Sequence, residues 1–484
     1  MRKSVKLVLL AVFTVSLILP LMEISAVPAA SEATKVVFFT GVQTTDTLTN
    51  MIADYNANYS LSGVTVELQT STWETDSQHD TYAAKFAAQD SSFDIISMDV
   101  IWPPEFTDAG WVEPLDDIIN STNKDEFLAA PVEAGTYEGK IYGLPWFHDS
   151  AMLFYRTDVI KYAYDNGIIP RNGPPETWTE LHDWTEDMLA NTTLMDYFKT
   201  NYQQELVGFV WQGNEYEGMI CDFMEYIGGT GTYTFLNEYG NASKFDQTGI
   251  RDALTFMRSL LDDGVSPQAV LTYGEEESRA IWDAGNAIFH RNWPYAYRLS
   301  LNSAFLNGSE SSYLGGITQA YNVTVMPHKA GVANYRTSCL GGWQLGVNKF
   351  STHKAEAKHF MLWLTAEKQQ VTYLNGNGNI PTLKAAYQSA DIDESQLYVQ
   401  LLLPVFEAAL PRPVHPQYPQ LSEAIQEPIH KFLSGTITLD KCIDDANKAI
   451  ENVFNPKPTG INDLAFLAVL AMGTLVFVTR KRKK

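Results

Sequence analysis

Three cysteines in 484 residues, Cys221, Cys339 and Cys442, are too few for a disulfide-built scaffold, and no two have metal-ligand spacing. At most one bridge can form; the sequence does not say between which pair, and burial as small apolar side chains accounts for all three equally well. Basic residues are scarce. The 34 Lys and Arg stand against 57 Asp and Glu, a net charge of −23 that argues against nucleic acid or any other phosphate backbone as a partner. Enzyme signatures are also absent: no phosphate loop, no His-Glu-x-x-His helix, no Gly-x-Ser-x-Gly elbow. Gly228-Gly229-Thr230-Gly231 lacks the Lys-Ser/Thr of a phosphate loop and is expected to be a plain loop. Carboxylates are plentiful, so a glycosidase pair stays open, because its defining separation is a distance in space. No repeat, low-complexity block or flexible linker interrupts residues 34–455. Hydrophobic residues at 45% and charged ones at 19% exclude a disordered or collagen-like chain, and the length suggests two or three domains.

The two ends read as targeting segments. Arg2, Lys3 and Lys6 precede an apolar run from Leu7 to Met22, and small residues follow at Ser25, Ala26, Ala29 and Ala30. This is the order of a secretory signal peptide, assigned to 1–33, with cleavage expected between Ala26 and Ala33. At the other end, a linker over 456–463 leads to an apolar stretch over 464–479 and a basic tail over 480–484. By the positive-inside rule the tail stays in the cytoplasm and the body lies outside, tethered to the membrane. Pro458-Thr459-Gly460, the apolar stretch and the basic tail also resemble a sortase-type sorting signal, which would make the tether covalent. Between the ends, residues 34–458 hold 26 basic and 54 acidic residues, a net charge of −28 that favours solubility and disfavours anionic partners. Glycosylation sequons occur at Asn58, Asn120, Asn191, Asn241, Asn307 and Asn322.

The body opens on a strand–helix rhythm. Lys35–Thr40 is a β-branched and aromatic run ending at Gly41, Val64–Leu68 is a second strand, and Phe93–Met98 a third. Helical stretches lie between them, through Met51, Ile52 and Tyr55 and around Tyr82–Ala88. The rhythm predicts a parallel sheet covered on both faces, with ligand gathered beyond the carboxyl ends of its strands. Gly41–Asp46 and Met98–Trp102 are therefore the first places to look. Two lobes joined by several crossings would explain the absence of a linker, Tyr142–Trp146 being one candidate crossing.

Aromatic residues make up 12% of the chain, with 11 Trp and 24 Tyr. Several lie beside polar or turn residues, as in Asp99-Val100-Ile101-Trp102, Trp146-Phe147-His148-Asp149, Arg291-Asn292-Trp293-Pro294-Tyr295 and Gly341-Gly342-Trp343. A sugar presents an apolar C–H face and a rim of hydroxyls, and needs a flat aromatic platform next to hydrogen-bonding acceptors and donors. Trp beside Asp or Arg at strand ends supplies that combination. For any single Trp, filling the core between lobes is an equal alternative.

Asp94-Ile95-Ile96 through Trp111-Val112-Glu113-Pro114-Leu115-Asp116 resembles a segment of the family 1 extracellular solute-binding proteins that serve ABC sugar importers. Tyr142–Trp146, Leu153–Asp158, Pro174–Trp178 and Leu340–Trp343 carry the likeness onward. Gly208–Gly213, Tyr216–Gly218, Arg291–Tyr295 and Pro411-Arg412-Pro413 resemble the trehalose/maltose-binding branch most closely. The resemblance implies an α/β, periplasmic-binding-protein-like (type II) fold, two lobes closing on a sugar about hinge strands. Lobe one would be 34–146 with 344–392, and lobe two 147–343 with 393–455. It implies stacking by Trp293 and Trp343, backbone contact at Gly342, carboxylate acceptors at Asp99 and Asp149, and a basic donor at Arg412. Trp102, Trp211, Tyr216 and Tyr295 are candidate cleft walls, with core packing an equal alternative for Trp211 and Tyr216. Asp46 stands where the family has Glu, His79 where it has a sugar-contacting Arg, and Phe147 where close relatives have Tyr, so the sugar is expected to differ from trehalose or maltose. The implied function is non-enzymatic and needs no cofactor or metal: capture of a di- or oligosaccharide for ABC permease subunits driven by a cytoplasmic ATPase. A surface glycan-processing enzyme and a sugar sensor for a signalling receptor are the alternatives.

Overall fold

A computed structural model describes residues 34–456 apart from 73, 304, 305, 307–319, 334 and 335. The expected signal peptide, the apolar stretch over 464–479, the tail over 480–484 and the sequon at Asn307 lie outside the described residues. Among the described residues no helix is long and apolar enough to cross a membrane.

The first strands fall where the sequence puts them: β1 at Thr34–Thr40, β2 at Val64–Thr70 and β3 at Ile95–Asp99, with α1 at Thr47–Asn58 and α2 at Thr75–Ala87 between them. β1 pairs in parallel with β2 and β3. Its alternating side chains sort to opposite faces, as a strand's two-residue period requires. Val36 and Phe38 join one core with Leu48, Ile52 and Tyr55 of α1, while Val37 and Phe39 join the other with Tyr82 and Phe86 of α2. Leu48, Met51, Ile52 and Tyr55 recur at helical spacing, and each buried apolar side chain of this kind contributes about 1.5–3 kcal/mol.

The sheet is larger than the opening rhythm predicts, and it is mixed. From one edge its order is Ile380–Pro381, Leu144–Ser150, Leu340–Val347, β3, β1, β2. Leu340–Val347 runs antiparallel to both β3 and Leu144–Ser150. The expectation of a purely parallel sheet is corrected here: these strands arrive from distant parts of the chain without βαβ crossovers. A second sheet orders Tyr321–Thr324, Met152–Arg156, Ala287–Asn292 and Val207–Val210. Only the buried Ala151 separates the Leu144–Ser150 strand of the first sheet from the Met152–Arg156 strand of the second. The chain crosses back before Leu340 and again between Pro381 and the segment around Leu410, which bridges to Cys339. Two α/β lobes linked by several crossings make this the type II periplasmic-binding-protein architecture.

Gly228 and Gly229 correct another expectation, since they close the buried helix Glu217–Gly229 instead of forming a loop. A β-carbon on Gly228 would sit 1.9 Å from the Arg336 carbonyl oxygen, so close packing, not chain reversal, calls for glycine. All three cysteines are buried and unbridged.

Candidate functional site

A cavity of about 390 Å³ opens between the sheets and is lined from both. It lies beyond the carboxyl ends of β1 and β3, at Thr40–Thr44 and Asp99, where a doubly covered sheet gathers its ligands. A volume near the low end of the roughly 300–1,000 Å³ common for small-molecule sites suits a compact ligand.

Strand irregularities aim the aromatic walls. The pairing of Leu340–Val347 with Leu144–Ser150 slips between Trp343 and Gln344, a bulge that turns the Trp343 ring toward the cavity. Gly342 just before it holds φ +110, and a β-carbon there would lie 2.5 Å from the Phe147 carbonyl oxygen. Trp343 is half-buried, and Trp102 meets it edge-on at 5.4 Å and 89°. Phe147 lines the same wall beside Trp146 and Tyr373, whose rings stack at 5.3 Å. Opposite, Trp293 leaves the end of Ala287–Asn292, backed by the Arg291 guanidinium at 4.0 Å and held by its Nε1 donating to Glu275 at 3.2 Å. Tyr216 donates to Glu275 and Tyr295 to Glu276, each at 2.7 Å.

The floor is charged. Arg412 donates to Asp99 at 2.8 Å and to Glu217 at 2.7 Å, joining the end of β3 to the start of the Glu217–Gly229 helix. Tyr418 and Ser422 complete the partners of Glu217. Burial raises the pKa of Asp99; Arg412 opposes that shift and Glu217 adds to it. Asp149 lies well above the usual carboxylate range, through burial first and the nearby Asp99 second, with Arg291 opposing. Its Oδ1 is buried with no hydrogen-bond partner.

Asp99, Phe147, Asp149, Trp293, Gly342, Trp343, Arg412, Tyr216 and Tyr295 thus share one cavity. Four other expected residues do not line it. Asp46 is exposed at the start of α1. His79 bonds Glu105 at 2.6 Å and packs against Trp102 and Phe106; burial opposes its charge, but Glu105 raises its pKa overall. Trp102 is the buried backing of Trp343, and Trp211 is a core residue whose Nε1 donates to Ser266 at 3.0 Å. The loop after β1 reaches the cavity as expected, through Gly41–Thr44, and brings in partners that sequence reasoning missed. Gln43 accepts from Tyr373, and Thr44 donates to Asn377, so the β1 loop is tied to the helix Glu367–Asn377 across the cavity rim. The Asn375–Asn379 run of alternating Asn and Gly was the legible signal for that corner, and Gly274-Glu275-Glu276-Glu277 for the opposite one.

Fold and cavity together define a two-lobed binding protein whose cleft joins aromatic faces to buried carboxylates. The model of the bacterial extracellular solute-binding protein family matches residues 41–371, and the chain belongs to that family. Among curated relatives, a probable ABC transporter-binding protein of Deinococcus radiodurans is 32% identical over 381 residues, 77% of this chain and 83% of its own. Among solved structures, maltose-bound MalE3 of T. maritima superposes with a TM-score of 0.73 at 33% identity, covering 87% of this chain and 99% of that one. An ABC transporter solute-binding protein of Thermotoga lettingae bound to α-D-tagatose, at 23% identity, shares the fold: its TM-score is 0.72, over 87% of this chain and 100% of its own. The family's members are binding proteins that work with transporters.

Proposed function

We propose that this chain is an exported carbohydrate-binding protein that captures a di- or oligosaccharide of the trehalose or maltose class and delivers it to an ABC importer. The observation that carries the reading is the cavity itself: Trp293 and Trp343 line it as aromatic platforms together with Asp99, Asp149 and Arg412 as polar groups. The maltose bound by the T. maritima relative supports the sugar class. The two lobes, one built on each sheet, close on the ligand, and the importer's permease reads the closed form, because a ligand that favours one state is the only signal of loading. The segment over 464–479 tethers the protein outside the cell.

The test is a tryptophan-fluorescence titration with trehalose, maltose, sucrose and maltodextrins, followed by analysis of the recovered sugar. Saturable quenching or enhancement with intact sugar supports capture. Cleaved sugar would make the chain a glycan-processing enzyme, and silence to every glucoside would move the ligand outside this class.

A further inference from the structure

Seven carboxylates line the cavity against one guanidinium, Arg412, with no other cationic side chain among the described lining residues. Their partners can be followed one by one. Asp99 and Glu217 share Arg412. Glu276 pairs with Arg279, and Glu277 caps its own helix at the Gly274 amide. Glu74 takes the Ser77 hydroxyl on the exposed rim. Glu275 receives only neutral donors, the Tyr216 hydroxyl and the Trp293 indole. Asp149 is 93% withdrawn from solvent (7% exposed), has an Oδ1 without a partner, and forms no ion pair. The cavity therefore holds more negative charge than its own cation answers, and one of its deepest carboxyls is unanswered.

The shape of that deficit narrows what could fill it. Among the described residues no three His, Cys, Asp or Glu side chains converge as a metal cage would require. An organic ammonium needs less: one or two carboxylates for its three donors and aromatic faces around it. Asp149 supplies the first requirement. Its β-carbon and the Trp293 ring both crowd the position a Gly341 side chain would occupy, at 3.2 and 3.0 Å, so the Asp149 side chain starts beside the aromatic edge. Trp343 and Phe147 line the same space.

We propose that the preferred sugar of this cleft carries a basic amino group, with its ammonium on Asp149 and its C–H faces on Trp293 and Trp343. The inference rests on the sugar-binding reading above and makes Asp149 its specificity-determining residue. A neutral sugar can donate a hydroxyl to Asp149 but brings no opposite charge to it. A cationic one brings an ion pair as well as a hydrogen bond, and so holds Asp149 ionised. Around Asp149, Asp99 at the end of β3 adds negative charge, Arg291 behind Trp293 partly offsets it, and Tyr373 and Tyr398 are near enough to feel its charge.

Calorimetric titration of the full chain in detergent at pH 6.5 tests it, using trehalose, maltose, 2- and 4-amino-trehalose, glucosamine disaccharide and their N-acetylated forms. The N-acetyl derivatives keep the substituent and remove the charge. At least one free amine should bind about tenfold more tightly than both its neutral parent and its N-acetyl form, the factor that adding an opposite charge beside a buried carboxylate supplies. Its advantage should shrink with added salt, and Asp149→Asn should bring the amine-to-parent ratio close to one. Neutral sugars that bind as well as or better than every amine would overturn the inference and leave the sugar reading standing. An amine preference that survives Asp149→Asn, in a variant with unchanged melting temperature, would overturn the role of Asp149. Silence to every neutral and amino sugar would overturn both readings.

Discussion

Replacing Trp343 with alanine separates a platform from a core residue, because the structure puts a different ring directly behind it. Trp343 is half-buried on the cavity wall, and the ring that meets it edge-on from behind is Trp102, which is 1% exposed. Losing the edge contact with Trp102 costs about 0.5–1.5 kcal/mol, and the partly buried surface adds roughly 1 kcal/mol. Unliganded stability should therefore fall by about 2 kcal/mol. Losing one stacking face to a ligand ring should cost about 2 kcal/mol more in binding, close to a 30-fold rise in Kd. Trp102→Ala should show the opposite balance, with about 3–5 kcal/mol of stability lost, as for a fully buried aromatic. Urea unfolding without ligand and fluorescence titration with the tightest sugar measure the two quantities on the same samples. A Trp343→Ala protein that binds within threefold of wild type, or that loses as much stability as Trp102→Ala, would refute the platform.

Four further outcomes are expected. Arg412→Met leaves Asp99 and Glu217 buried without their cation, so it should lower unfolding free energy by about 3–5 kcal/mol as well as weaken sugar binding; denaturant midpoints with and without ligand check this. Gly342→Ala should destabilise by more than about 2 kcal/mol, because it adds a β-carbon at φ +110 against the Phe147 carbonyl; a urea midpoint within error of wild type would contradict it. Asp76, at the lobe contact with Glu217 and Gln426, is raised to about 7 by burial first and the Glu217 charge second. A raised folded-state pKa means the protonated form is the stabilised one, so its contribution is complete below the ordinary value near 4 and is lost as pH rises through about 7. The melting temperature should decline between about pH 4 and 7, and Asp76→Asn should flatten that decline. His79→Arg should leave the ranking of sugars unchanged, since His79 is committed to Glu105 outside the cavity; a shifted ranking would return it to the site.

Much of this was written in local sequence. β1, β2 and β3 were legible because β-branched and aromatic runs end at turn residues, and α1 because its apolar positions recur at helical spacing. Asp99, Asp149, Trp293, Trp343 and Arg412 were legible as chemistry-bearing residues at strand ends or in a short Pro-flanked segment, strengthened by family resemblance. What was not legible depends on long-range assembly. The mixed sheet forms because Leu340–Val347 inserts between β3 and Leu144–Ser150, and nothing local to that strand names its neighbours. Tyr373 and Asn377 join the cavity rim through contacts to the loop after β1 that span more than 300 residues, Tyr373 to Gln43 at a separation of 330. Trp211 could not be assigned from sequence because an indole whose N–H finds Ser266 is as content in a core as on a cleft wall. Gly228 and Gly229 are not legible as helix because glycine ordinarily breaks helices, whereas here the close approach of Arg336 and Trp178 demands it.

A crystal structure grown with the tightest-binding sugar of the titration tests the central claim most directly. The account predicts a sugar between Trp293 and Trp343, with its polar groups on Asp99, Asp149 or Arg412. A sugar bound elsewhere, with this cavity left to water, would contradict it.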